Sequence, residues 1–185
     1  MTWLIQLIFT TNVALAPLPT ARESVNSTSA IFGAQHPATA MALRNLALAY
    51  EQEGFHNRAE AAAKKALSIL ESDFGPADVS LTPALNVLTE IYAAQGRYME
   101  ARQFAIRAVD IGPGAELHYA TALHNLGAVL EAEGKLNEAR EYYARALSAR
   151  QELLSPNHPY VEITRAALQR LNRGVHAFTP AVRLK

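Results

Sequence analysis

Six histidines and a scatter of asparagines and glutamates carry most of the side-chain chemistry open to this chain of 185 residues. With Cys 0 there is no thiolate nucleophile, no thiolate metal site and no disulfide framework. The chain contains no Gly-x-Ser-x-Gly elbow, no glycine-rich phosphate loop and no His-Glu-x-x-His pair. His118 and His124 are six residues apart, which puts them on different faces of a helix. A metal-dependent enzyme would have to build its site across distant segments, from His124 and Glu90, and stands as a remote alternative. His36 and His158 each precede a proline and are read as shaping the starts of helices. No cofactor is expected, and no catalytic or metal-binding residue is assigned. The sharper chemistry lies in Asn45, Asn86 and Asn125. An amide donates and accepts at once, so a row of amides can pair with successive peptide groups of an extended ligand. The competing reading makes Asn45 and Asn125 structural bridges between neighbouring helices, and Asn86 sits one place earlier than the other two.

The elements that must position these residues repeat. The stretch from His36 to Gly75 returns twice, with Gly54, Gly96 and Gly134 in register at spacings of 42 and 38. Leu43, Leu46, Tyr50, Ala59, Ala66 and Leu67 become Leu85, Leu88, Tyr92, Ala101, Ala108 and Val109, then Leu123, Leu126, Leu130, Ala139, Ala146 and Leu147. Leu43, Leu46, Ala47 and Tyr50 share one helical face, and Gly54 ends that helix. A second helix from about Asn57 to Ser72 buries Ala59, Ala62, Ala63, Ala66, Leu67 and Leu70, and its small residues allow close antiparallel packing. The second copy is expected to start near Ser80 with Pro83 in its first turn, to turn at Gly96, and to break at Gly112-Pro113-Gly114.

Repeats are therefore expected at 34–75, 76–114 and 115–157, preceded by a degenerate helix at 20–33 that a Thr20/Glu23 capping box would open. His158-Pro159 echoes His36-Pro37 and opens a last helix, about Tyr160 to Asn172, in a cap spanning 158–173. Arg165, Gln169 and Asn172 give that helix the polar face an array end requires. Past Glu162 the charges are all basic, Arg165, Arg170, Arg173, Arg183 and Lys185, and read as a solvated capping face, with a patch for an anionic partner as the alternative. Residues 174–185 lack periodicity and are expected to be a mobile tail.

Composition narrows the partners. Seventeen basic and 17 acidic residues give a formal net charge of zero, so no global field favours nucleic acid or an anionic membrane. Residues 1–19 form an apolar segment ending at Pro17 and Pro19, and about 20 apolar residues are needed to cross a bilayer. Ala14-Leu15-Ala16 has the small-x-small pattern of a signal-peptidase site, although no Lys or Arg precedes the apolar run and proline follows the cut. If residues 1–16 are a signal peptide, the chain is exported, periplasmic or secreted; otherwise it is cytoplasmic. Without cleavage, the segment is a mis-set start or a degenerate helix packed on the first repeat. No membrane span is expected in the mature chain.

The pattern Leu-x-x-Leu-small-x-x-Tyr-x-x-x-Gly, with alanine five and then seven residues on, resembles the tetratricopeptide repeat over about Gln35 to Arg173. The 42-residue spacing, the His-Pro openings and Asn-Leu in the first helix are similar to the kinesin-light-chain variety. Departures are the missing His-Pro before copies two and three, Thr89 at a small position, and Leu130 in place of tyrosine. The resemblance implies an all-α, right-handed superhelical solenoid of antiparallel helix pairs, about three repeats plus capping helices. It implies a non-catalytic protein–protein interaction module whose first helices line a concave groove for an extended peptide or a partner helix. The groove positions are Met41, Arg44, Asn45, Leu48 and Glu51; Asn86, Val87, Glu90 and Ala93; and Thr121, His124, Asn125, Ala128 and Glu131. Arg44 is the one strongly basic residue among them, so a carboxylate clamp is not expected, and a neutral to mildly basic ligand is favoured. The alternative is a structural subunit that oligomerises by stacking its helical ends, leaving monomer and dimer both open.

Overall fold

The computed structural model describes residues 16–114 and 116–176. Residues 1–15 of the expected 1–19 leader and 177–185 of the expected 174–185 tail lie outside the described residues. Where the chain is described, the first helix begins at Leu18, with prolines at 17 and 19 and no side-chain cap, instead of at a Thr20/Glu23 capping box, and the last helix runs on to His176. Helix α1 is Leu18–Phe32, α2 Pro37–Gln52, α3 His56–Phe74, α4 Thr82–Ala94, α5 Tyr98–Ile111, α6 Glu116–Ala132, α7 Leu136–Leu153 and α8 Pro159–His176, with a short 3₁₀ turn at Val79–Leu81. Three antiparallel pairs, α2/α3, α4/α5 and α6/α7, are flanked by a lone second-type helix, α1, and a lone first-type helix, α8. Each helix packs mainly on its neighbours in sequence, and α4 also packs on α2 and α6. The all-α solenoid expected from the sequence is the architecture found.

The turns inside each pair share one geometry. Gly54, Gly96 and Gly134 have φ of 77°, 75° and 80°, the left-handed region that disfavours a Cβ. In each turn the glycine N–H donates three residues back, to Glu51, Ala93 or Glu131, and the next N–H reaches five back, to Tyr50, Tyr92 or Leu130, at 2.8–2.9 Å. Nothing lies within 4 Å of a Cβ added at Gly96, so Gly96→Ala pays only the backbone strain. Its expected cost is about 1 kcal/mol, read as a lower urea midpoint with an unchanged m-value.

The start of the second pair differs in detail from the sequence expectation. Asp78 accepts from the Ser80 N–H at 2.8 Å and caps the 3₁₀ turn, and α4 follows from Thr82 with Pro83 in its first turn. Proline fits there because its missing N–H has no intrahelical acceptor at that point.

Core packing shows how the copies compensate for one another. Ala47 and Ala63, Thr89 and Ala105, and Gly127 and Tyr143 are the same pair of positions counted from the turn glycine. A Cβ at Gly127 would lie 3.0 Å from the fully buried Tyr143 ring, so the absence of a side chain on α6 makes room for the large one on α7. Thr89, also fully buried, satisfies its hydroxyl by donating to Leu85 O at 2.9 Å. At the amino-terminal end, Ala21, Leu46 and Ala49 form a small core between α1 and α2, edged by Leu18, Val25 and Tyr50.

Candidate functional site

The first-type helices α2, α4, α6 and α8 bring the chemistry-bearing positions to one side of the array. On α2, Met41 and Asn45 are exposed and Arg44, Leu48 and Glu51 are half-buried. Arg44 donates to Asn45 Oδ1 at 3.1 and 3.3 Å, and burial lowers its pKa. Glu51 lies 2.9 Å from His56 Nδ1. Glu90 on α4, Thr121 on α6 and Glu131 on α6 are half-buried.

The row of asparagines does not form as the sequence suggested. Asn86 and Asn125 are 4% and 2% exposed, with Val87, His124 and Ala128 buried beside them, whereas Asn45 is open to solvent. Asn86 Nδ2 donates to His118 O at 2.9 Å, and Asn125 Nδ2 donates to Glu90 Oε1 at 3.1 Å. These two amides bridge neighbouring first helices. The physical reason is position in the array: α4 and α6 each have a first-type helix on both sides, whereas α2 has one on one side alone among the described residues. Ala93 is buried as well.

His124 also faces a neighbouring helix. Its Nδ1 lies 3.1 Å from Thr164 Oγ1 on α8, and its ring sits 5.1 Å from that of Tyr143. Among the described residues no group of three or more His, Cys, Asp or Glu side chains could hold a metal ion.

At the carboxy-terminal end the structure places a polar cluster that sequence reasoning missed. Arg150 on α7 is 1% exposed; its Nη1 donates to Tyr160 O at 2.8 Å and to Thr164 Oγ1, and its Nη2 reaches Thr121 Oγ1 at 3.4 Å. The guanidinium also lies 5.2 Å from the Tyr160 ring centroid. Burial lowers its pKa to about 10, partly offset by Tyr160 and Glu90. A signal was available: Arg150 stands sixteen residues after Gly134, as Leu70 does after Gly54, so an arginine replaces an apolar stripe residue.

Arg170 corrects a second expectation. It donates to Glu131 at 3.0 and 2.7 Å, and Tyr143 OH donates to the same carboxylate at 2.9 Å. Arg170 therefore joins α8 to α6 and does not belong to a solvated capping face. Burial, followed by the Glu131 charge, pushes the Tyr143 phenol well above its ordinary value.

Glu90 is the electrostatic oddity of this side. Burial pushes its carboxyl up to about 7, against the Asn125 hydrogen bond and the charge of Arg150. His118 is pushed down by burial and by the nearby charge of Arg44. Two shallow recesses lie elsewhere, at the Gly54–Arg58 turn and the Phe74–Asp78 turn. No helix among the described residues is long and apolar enough to cross a membrane.

Comparison with known proteins agrees with this architecture. Tetratricopeptide-repeat family models match residues 18–72 and 120–160, together more than half of the chain. The structure is similar to BtubC (BKLC) from P. vanneervenii, with TM-score 0.72 and 25% identity over 88% of this chain and 67% of that one. It is also similar to the kinesin light chain nearly identical TPR-like repeats of Podosopora anserina, with TM-score 0.65 and 19% identity over 87% and 78% of the two chains. The Sgt2 TPR domain from Aspergillus fumigatus gives TM-score 0.59 and 19% identity, covering 93% of each chain. No curated protein matches. Repeats of this kind make protein–protein interaction modules. With three like helix pairs and matches at both ends, the chain belongs to the tetratricopeptide-repeat family.

Proposed function

We propose that the chain is a non-catalytic module that holds an extended peptide or a partner helix along the side formed by α2, α4, α6 and α8. The observation that carries this reading is the set of open or half-buried positions on successive first helices: Met41, Arg44, Asn45 and Leu48 on α2, Glu90 on α4, and Thr121 and Glu131 on α6. Adjacent helices pack about 10 Å apart and a strand rises about 3.3 Å per residue, so each repeat would meet about three ligand residues. Two of the three carboxylates on this side are already engaged, Glu51 by His56 and Glu131 by Arg170. The residual field is slight, which suits a neutral to mildly basic ligand. Met41 and Leu48 supply apolar contact.

A library of displayed random peptides of about twelve residues, the span of four first helices on the same spacing, supplies a ligand for the test. Met41→Ser together with Leu48→Ser is expected to weaken a selected peptide about tenfold, the loss of modest apolar contact. Stability should change little through Met41, which is 56% exposed. Met99, 72% exposed on α5, is the control, and Met99→Ser should leave affinity unchanged. Equal losses from both sets would contradict the assignment of the binding side.

A further inference from the structure

Of the three carboxylates on the proposed binding side, Glu131 is paired with Arg170 and Glu51 lies against the His56 imidazole, whereas Glu90 has neither a cationic group nor an imidazole within ion-pair distance among the described residues. Asn125 Nδ2 takes Oε1 at 3.1 Å, and no described group hydrogen-bonds Oε2. Arg150 acts on Glu90 through its charge without touching it, since its hydrogen bonds run to Tyr160, Thr164 and Thr121. Counted from the turn glycine, Glu90 occupies the position of Leu48 in the first copy and Ala128 in the third. A carboxylate thus stands in a file of apolar residues, half-buried and half-satisfied. Burying a carboxylate is costly unless it is paired and hydrogen-bonded, and burial already holds this one up to about 7.

We infer that Glu90 is the anchor for one basic side chain, lysine or arginine, of the bound peptide, whose N–H donates to the open Oε2. This rests on the peptide-binding reading above and gives it a specificity. An ammonium or guanidinium supplies the charge-assisted bond that Arg150, committed to α8, does not. The apolar stem of such a residue suits the half-buried Leu48, which holds the corresponding position on α2.

The displayed-library selection tests this directly on the full chain. Retained peptides are expected to share Lys or Arg at one register. For such a peptide, Glu90→Gln should lower affinity about tenfold, as should replacing its basic residue by norleucine. The two changes together should cost no more than either alone, because they remove the same contact. Glutamine preserves the shape and the acceptor for Asn125, so loss of folding is not expected, and circular dichroism checks it. Retained peptides with no shared basic residue, or equal affinity for Glu90→Gln, would overturn the inference while leaving the binding side intact. Retention of no peptide at all would overturn the peptide-binding reading and this inference with it.

Discussion

Arg150→Ala is expected to lower the unfolding free energy by about 3–5 kcal/mol, the range for removing a buried charged group and leaving its partners and volume unfilled. The side chain is 1% exposed and ties α7 to both α6 and α8, so its loss strips acceptors at Tyr160 O, Thr164 and Thr121 at once. Arg150→Met should cost far less, about 1–2 kcal/mol. It fills most of the volume and removes the desolvated charge, and the counterpart Leu70 shows that an apolar residue suits this position in another copy. Urea unfolding of both variants gives the comparison. If the alanine variant matched wild type, the cluster would contribute nothing to the end of the array.

Glu90→Gln is expected to stabilise the protein, and only at neutral and higher pH. The folded carboxyl is raised from 4.5 to about 7. A raised group contributes stability that is fully present below its unfolded value and is lost as pH rises through its folded value. Wild type should therefore lose up to about 3 kcal/mol between pH 4.5 and pH 7.5 from this group, by the linkage of about 1.4 kcal/mol per unit. Glutamine does not titrate, so the variant should equal wild type near pH 4 and exceed it by several degrees in thermal midpoint near pH 8. In Arg150→Met the wild-type step should move to higher pH, because the nearby positive charge that holds Glu90 down is gone. Parallel pH profiles for wild type and Glu90→Gln would show that Glu90 is as well solvated folded as unfolded and would contradict the desolvation that raises it.

The fold was legible because its determinants are local and periodic. Leu43 and Leu46 recur on one helical face in each copy, and Gly54, Gly96 and Gly134 each mark a turn that a side chain would strain. The Gly127/Tyr143 exchange was not legible, since a small residue at one place and a large one sixteen residues later become compensation only when the helices are packed. The site was read less well for a related reason. Sequence periodicity shows which face of a helix a residue occupies, but not whether another helix covers that face. Asn45 and Asn125 hold equivalent positions, yet the first is exposed and the second bridges to α4. Arg170 and Glu131 are 39 residues apart, and nothing in either local segment marks them as partners. Arg150 was legible in part, as an arginine aligned with the apolar Leu70, but its acceptors on α6 and α8 are set only by packing.

Hydrogen exchange of the full chain with and without a selected peptide tests the central claim most directly. Binding along the first-type helices predicts slowed exchange in α2, α4 and α6 across Met41–Leu48, Glu90 and Thr121, with α3 and α5 unchanged. Protection confined to the second-type helices α1, α3, α5 and α7 would contradict it.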